Sequence, residues 1–544
     1  MRRAVTALAA AALAVGMLST PAHAYEGTDS QFEVGWDDPT TASRPITEPS
    51  TESCKVDIVD HQYSDDSVHS SDYAPPEECA GEWSKVVLNL EGSAQGSQAE
   101  RMGTVAIDGV PIFKTSTPKP SAEGIEWEAE KDVTPYATML RSGGDVTSAV
   151  APIGDNDANV TGVLALKVSL TFYRVDDDHP APDAADTVTG LSEKESADGA
   201  RISVPRNSQR LFVDVYATAQ GDACEQEWYA RPMQDSGRGC GAADGSYREI
   251  QVLVDGEIVG LAAPYPHLSA SAFGNQYLWS TLPAPRTFDV QPTTVDLTPY
   301  LAVLNDGEKH DIAVKVAGSS GKDYGWSAPA ALRSWQDEDS EVVTGGILMS
   351  RVSDSLNNQT TSNTPSNDSS EIHGSREHSV SGWLSTSSGE IMTTIERSIA
   401  NTSTHTWSKD KESESLDSRW TDVETKTVTT DGGNTSTRTV DSVYELDGTT
   451  TAAEGRSTSD VSVSDAATVE FADQHGTTNQ YTRTHTYEGD ASWNLDVPVL
   501  ERAAKGKSKQ RYTLGGEWAC YDRSLETVDG KVTKETDHCG RVKR

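Results

Sequence analysis

The 544-residue sequence predicts an all-β protein: two tandem jelly-roll-like β-sandwiches followed by a C-terminal β-rich unit. Three observations carry this prediction. Short runs rich in Val, Ile and Thr, cut by Gly, Asp and Pro, recur along the chain with almost no sustained helical periodicity. Two Asp-Gly pairs, Asp108-Gly109 and Asp255-Gly256, sit between alternating apolar runs, a strong short-range signal for a hairpin. The chain also repeats itself weakly.

The repeat is read from those two pairs. RMGTVAIDG is followed by KDVTPYATML in the first half, and REIQVLVDG by VDLTPYLAVL in the second. Counting back from the turns sets Arg101 opposite Arg248, and the shared Thr-Pro-Tyr motif sets Asp132 to Tyr136 opposite Asp296 to Tyr300. The strands expected around them include VVLNL (Val86 to Leu90), LALKVSLTFY (Leu164 to Tyr173), LFVDVYAT (Leu211 to Thr218) and HDIAVKV (His310 to Val316). Acidic, apolar-poor Asp176 to Ala200 reads as a linker. From about Leu348 the composition shifts, through the polar stretch Arg351 to Gly374, to Thr- and Ser-rich alternating strands. The expected layout is a leader at 1–24, a first domain at 25–180, a linker at 181–200, a second domain at 201–345 and a third unit at 346–544.

Arg2 and Arg3, the apolar run Ala4 to Leu18 and Ala22-His23-Ala24 match a secretory signal, so a secreted protein is expected. Its apolar run is short for a membrane span, and no later segment approaches 18 apolar residues, so no membrane partner is expected. With 45 basic against 84 acidic residues the net charge is −39, which argues against nucleic-acid binding. Six cysteines cluster as Cys54 with Cys79, Cys224 with Cys240 and Cys520 with Cys539. Local disulfides are the simplest reading for an exported chain, and they leave no thiol for nucleophilic catalysis.

GIEWEAEKDVTPY, from Gly124 to Tyr136, holds the feature closest to chemistry. Read as a strand, it sets Glu126, Glu128 and Glu130 on one face and Ile125, Trp127 and Ala129 on the other. The repeat has Pro292 and Thr294 where Glu128 and Glu130 stand, so the shared fold does not need acids there. The sequence has no Gly-x-Ser-x-Gly elbow, no His-Glu-x-x-His and no phosphate loop. His373 and His378 lack a third ligand, and Asp155 to Asn159 lacks the glycine and distal glutamate of a calcium loop. No metal and no cofactor is expected. Carboxylate-driven hydrolysis is the chemistry left.

The blocks CAGEWSKVVLNL, ERMGTVAIDGVPIFKTSTPKP and GIEWEAEKDVTPYATML resemble the A-type peptide N-glycanases. TGVLALKVSLTFY, EQEWYARP, YREIQVLVDGEIVGLAAPYP and the late SVSGWLSTSSGEIMTTIERSIANTSTHTW continue the likeness over most of the chain. The resemblance implies hydrolysis of the amide between Asn and the first N-acetylglucosamine of N-glycans on glycopeptides and denatured glycoproteins. It implies two tandem jelly rolls, no metal, and work at mildly acidic pH. Where the family reads Phe-Asp-Arg-Ile this chain has Ala99-Glu100-Arg101-Met102, so Glu100 takes the place of the base. Glu130 and Glu227 match further acids, Arg101 the glycan- or oxyanion-holding cation, and Trp127, Trp228 and Trp279 are candidate sugar-stacking rings. Two other functions fit the residues: a carbohydrate-binding protein of the same fold with impaired catalysis, and a glycosidase cutting between sugars with a carboxylate pair.

Overall fold

A computed structural model of the chain describes residues 36, 38–64, 67–96, 101–118, 123–152, 162–219, 225, 228–230, 244–268, 275–318, 320–354, 356–364, 366–410, 412–498, 501–516 and 520–538. Antiparallel strands dominate it, joined by a few one- or two-turn helices.

The first sandwich has eight strands: β1 Ser53–Tyr63, β2 His69–Tyr73, β3 Trp83–Gln95, β4 Arg101–Ile107, β5 Val110–Ser116, β6 Ile125–Asp132, β7 Gly144–Pro152 and β8 Val163–Arg174. One sheet runs β1-β8-β3-β6 and the facing sheet β2-β7-β4-β5. The second sandwich has β9 Thr187–Leu191, β10 Ala200–Ile202, β11 Ser208–Val215, β12 Glu249–Val254, β13 Glu257–Ala262, β14 Thr293–Asp296, β15 His310–Ala317 and β16 Ala330–Gln336. Its sheets run β9-β16-β11-β14 and β10-β15-β12-β13. Adding eight to each strand number turns the first order into the second. The sequence repeat is therefore a repeat of winding.

Local chemistry repeats with it. Asp108 and Asp255 sit at φ 48° and 50°, followed by Gly109 and Gly256 at 76° and 87°, the left-handed pair that a two-residue hairpin turn needs. Asp108 Oδ1 accepts from Asp145 N at 2.8 Å, and Asp255 Oδ1 from Asp311 N at 2.9 Å. In the Thr-Pro-Tyr turns, Asp132 and Asp296 accept from the amides of Thr134 and Thr298. The two threonine hydroxyls then accept from Val86 N and Leu211 N, pinning each turn to the next strand. Val86 and Leu211 stand at matching places, on β3 and β11.

The third part is one antiparallel sheet. β17 Thr344–Val352, β18 Leu356–Asn363, β19 Asn367–Thr386, β20 Gly389–Ser408, β21 Ser413–Thr430 and β22 Thr435–Ala453 form its first half. β23 Arg456–Asp473, β24 Gly476–Asn494, β25 Lys505–Gly516, β26 Cys520–Val528 and β27 Lys531–Asp537 complete it. From β19 onward each strand pairs with the next, while β17 and β18 both pair with β19. β19 and β20 have 20 residues each, about 66 Å at roughly 3.3 Å per residue. The inner face of this sheet and the second sandwich bury one continuous apolar cluster, including Trp228, Trp279, Trp420, Tyr444 and Tyr487. The first sandwich has its own cluster around Trp83, Leu88, Phe113 and Trp127.

Two stretches differ from the sequence reading. Within the expected linker, Thr187–Leu191 is the edge strand β9, paired with β16, and Glu193–Asp198 is a helix. β-branched Thr187, Val188 and Thr189 favour the strand, and the Ser192–Glu195 capping box starts the helix, two local signals stronger than the mean acidity. Within Arg351 to Gly374, β18 pairs with β19 over its whole length.

Two buried histidines, His378 and His485, and the half-buried His267 set an acid limit on this fold. Burial pushes His267, His378 and His485 down to about 4, against partial opposition at His267 from Thr287 and at His485 from Asp465. Unfolded, each takes up a proton near pH 6.5; folded, each stays neutral until about pH 4. The unfolded state therefore binds more protons across that window, and stability falls as pH drops through it. Calorimetry should show the melting temperature declining between pH 7 and 4.5, with a shallower decline in His485→Gln; a flat profile would contradict the assignment.

Candidate active site

Arg101 opens β4 and is 3% exposed. Its amide donates to Thr117 Oγ1 at 2.9 Å, and Thr117 N donates back to Arg101 O at 2.9 Å, which closes the strand end. Glu100 and Glu227, the expected base and second acid, lie outside the described residues.

The repeat partner Arg248, just before β12, shows what such an arginine does when its role is structural. Its guanidinium is fully buried and forks onto Glu225, Nε to Oε1 at 2.6 Å and Nη2 to Oε2 at 2.7 Å. Nη1 donates to the carbonyls of Gly245 and Tyr247, and the Tyr324 ring lies 4.4 Å from its Cζ. Trp326 Nε1 adds a third donor to the Glu225 carboxylate, to Oε1 at 2.8 Å. Glu225, two residues before Glu227, was not singled out from the sequence. The Arg101–Arg248 equivalence was the available signal, since a second buried arginine needs a carboxylate of its own.

Glu130 requires a correction. The pleat of β6 turns Ile125, Trp127, Ala129 and Lys131 inward, and Glu126, Glu128 and Glu130 outward. Arg101 is on the facing sheet, so Glu130 points away from it, and the two are not brought together at one reacting centre. Glu130 Oε2 instead accepts from Ile46 N at 3.1 Å, from the N-terminal strap that crosses this face.

The three tryptophans also differ from expectation. Trp127, Trp228 and Trp279 are each 2–3% exposed, so none is an open sugar platform. Trp127 packs inside the first sandwich opposite Gly92, where an added Cβ would lie 2.3 Å from its ring. Only glycine leaves room for that indole. Trp228 packs edge-on against Trp420 at 5.0 Å, and Trp279 tilts against Tyr487 at 4.6 Å. The long C-terminal sheet covers Trp228 and Trp279, whereas Trp127 is enclosed by its own sandwich.

The outward acids line a cleft of about 1580 Å³. One wall is the first sandwich, with Asp60, Glu91, Glu126, Glu128 and Glu130; the others come from the second sandwich, the strap and the C-terminal sheet. The sheet contributes a row of directly opposed residues, Trp420, Tyr444, Asp465, His485, Tyr512 and Arg523, one from each of β21 to β26. Arg397 lies nearby, forked onto Asp422 at 2.7 Å twice and reaching Glu424 at 3.0 Å.

Cys54 and Cys79 form the expected disulfide, and Cys520 is disulfide-bonded; Cys224, Cys240 and Cys539 lie outside the described residues. Among the described residues no group of three or more His, Cys, Asp or Glu could hold a metal ion. His373 pairs with Glu371 at 2.8 Å on the surface, while His378 is buried 3.3 Å from the Tyr300 hydroxyl. No described helix is long and apolar enough to cross a membrane.

Glu225→Gln should lower stability by roughly 3–5 kcal/mol, because it leaves the buried Arg248 charge without its counter-ion. A urea midpoint equal to the parent's would mean that the pair contributes nothing net.

A family model described as peptide N-acetyl-beta-D-glucosaminyl asparaginase amidase A matches residues 44–365. A relative, peptide-N4-(N-acetyl-beta-glucosaminyl)asparagine amidase A of Prunus dulcis, is 26% identical over 398 residues, 64% of this chain and 66% of that protein. The chain thus spans just under two thirds of this relative's length. Recombinant peptide:N-glycanase F, a solved structure, is matched at a TM-score of 0.35 and 12% identity, over 52% of this chain and 96% of that one, a superposition too loose to carry weight. With more than half of its length under the family model, the chain belongs to the peptide N-acetyl-beta-D-glucosaminyl asparaginase amidase A family.

Proposed function

We propose that the protein is an exported peptide N-glycanase, which hydrolyses the amide between an Asn side chain and the first N-acetylglucosamine of an N-glycan. Its substrates in this reading are N-glycosylated peptides and denatured glycoproteins. Membership of the amidase A family is the observation that carries the proposal. The leader-like first 24 residues support export.

The chemistry follows from a carboxylate next to a fixed guanidinium. Glu100 takes a proton from water, and the resulting hydroxide attacks the amide carbon. Negative charge develops on the amide oxygen, where the planar donors of Arg101 offset it. The C–N bond then breaks and the proton passes to nitrogen, releasing a glycosylamine and leaving Asp in the peptide. Glu227 serves as the second acid, holding the sugar amide or its hydroxyls. Base and positive charge both come from side chains, so the step as written uses no metal. The longer reach of Glu relative to the family's Asp displaces the carboxylate by about 1 Å, a shift large enough to matter for a positioned base.

Incubating the protein with a defined glycopeptide and weighing the products tests this reading. The expected product is a sugar-free peptide with Asn converted to Asp. A peptide retaining one N-acetylglucosamine would mean an endoglycosidase, and retained binding without cleavage a carbohydrate-binding protein. Glu100→Gln should reduce turnover roughly 100- to 10,000-fold with the fold and glycan binding intact; unchanged turnover would remove Glu100 as the base.

A further inference from the structure

A second polar centre lies on the floor of the cleft, on a different layer of the molecule from Arg101. Asp465 is buried there between two guanidiniums. Arg286 donates to it from Nε at 3.0 Å and Nη2 at 3.3 Å, and Arg483 from Nη1 at 2.8 Å and Nη2 at 3.1 Å. Burial alone would raise the Asp465 carboxyl, but the two arginines hold it below its ordinary value, so it stays ionised. Two cations thus share one anion. Each guanidinium has five N–H donors and uses two of them on Asp465. Both side chains remain 23% exposed.

Nothing beside them in the row restores the balance. His485, the cross-strand neighbour of Asp465, is neutral because burial pushes it down to about 4. Tyr512 follows it and is likewise uncharged at neutral pH, since burial raises its hydroxyl. Arg286 sits at φ 64°, a left-handed conformation that a non-glycine residue holds only where its surroundings dictate it. That conformation lays the guanidinium 4.1 Å over the Tyr265 ring, at the cleft. In a chain of net charge −39, a strained positive centre inside a cleft does nothing for solubility.

We propose that Arg286 and Arg483 form a subsite for the carboxylate of an acidic sugar, a sialic or uronic acid residue, carried by the glycan; this rests on the reading of the protein as one that acts on N-glycans. Paired planar forks suit a carboxylate, which accepts two N–H bonds from each. The opposite wall selects for the rest of the ligand. Glu91, Glu126 and Glu128 offer acceptors that sugar hydroxyls satisfy, whereas further carboxylates, as on an acidic peptide, meet like charge there. The neutral Tyr512 ring lies alongside as an apolar face for a pyranose.

The test uses the full chain and isothermal titration with three free oligosaccharides: a disialylated biantennary N-glycan, the same glycan after sialidase treatment, and a glucuronic-acid-terminated oligosaccharide. At least one acidic oligosaccharide should bind tenfold or more tightly than the neutral one, and which of the two does so identifies the acid. Arg286→Gln and Arg483→Gln should each weaken the acidic ligand roughly ten- to a hundredfold, leaving hydrolysis of a neutral-glycan glycopeptide unchanged. Arg483→Lys keeps the charge and loses the fork; it should bind with intermediate strength, and it replaces the glutamine variant if circular dichroism shows that variant unfolded. Equal binding of acidic and neutral glycans, or undiminished binding by a folded variant, would overturn the subsite. Tighter binding of a glutamate-rich peptide than of any glycan would overturn its assignment to sugar. Loss of the amidase reading would appear separately, as failure to cleave any glycopeptide, while the titrations still decide the subsite.

Discussion

The arrangement of the two sandwiches depends on one buried carboxylate, Asp214 on β11. Tyr136 of the first sandwich donates to it at 3.1 Å, Arg333 of the second forks onto it at 2.7 and 3.0 Å, and Thr294 adds a bond at 2.7 Å. A desolvated charge is tolerated only when its acceptor sites are filled, so Asp214 admits few placements of Tyr136 relative to Arg333. The surrounding seam obeys the same constraint. Lys114 donates to Ser327 Oγ at 2.9 Å, and burial pushes its amine down to about 8 against the pull of Glu193. Tyr216 donates to Ile112 O at 3.1 Å, and Lys131 pairs with Asp289 at 3.5 Å while lying over the Tyr216 ring. Polar bonds with defined directions orient two domains more sharply than an apolar contact of the same size.

With that orientation fixed, the C-terminal sheet completes the molecule by sharing the second sandwich's core. Tyr487 donates to Leu278 O, and Trp420 meets Trp228 edge-on, so the sheet's inner face is anchored along several strands. The N-terminal strap ties the remaining wall: Ala42 N donates to Gln510 on β25, and Ile46 N to Glu130 on β6. A cleft with one acidic wall and an arginine-bearing floor results from joining three β-units whose outer faces were never alike.

Short-range features were readable because their causes are short-range. Asp-Gly turns and the alternation of β6 each depend on a few adjacent residues, and each formed where its pattern pointed. The repeat was visible because both copies keep the residues that close turns. Errors arose where composition stood in for local chemistry. Mean acidity suggests a linker at 181–200, whereas its threonines and capping box specify a strand and a helix. Trp228 and Trp279 are candidate stacking rings by residue type, and a sequence contains no statement of which large sheet will cover a given ring.

By itself the sequence determined the all-β class, the doubled winding and the separation of β6 into an acidic and an apolar face, since a period of two is set by the backbone of each strand. It also placed Arg101 and Arg248 at equivalent points, because equivalence is counted along the chain. Tertiary structure alone decided what each face meets. The Glu126, Glu128 and Glu130 row became one wall of a cleft, Arg248 acquired Glu225, and Asp465 gathered two arginines from segments 179 and 18 residues away. Those partnerships join residues far apart in the chain, and the cost of leaving a buried charge uncompensated selects them only once the domains have packed.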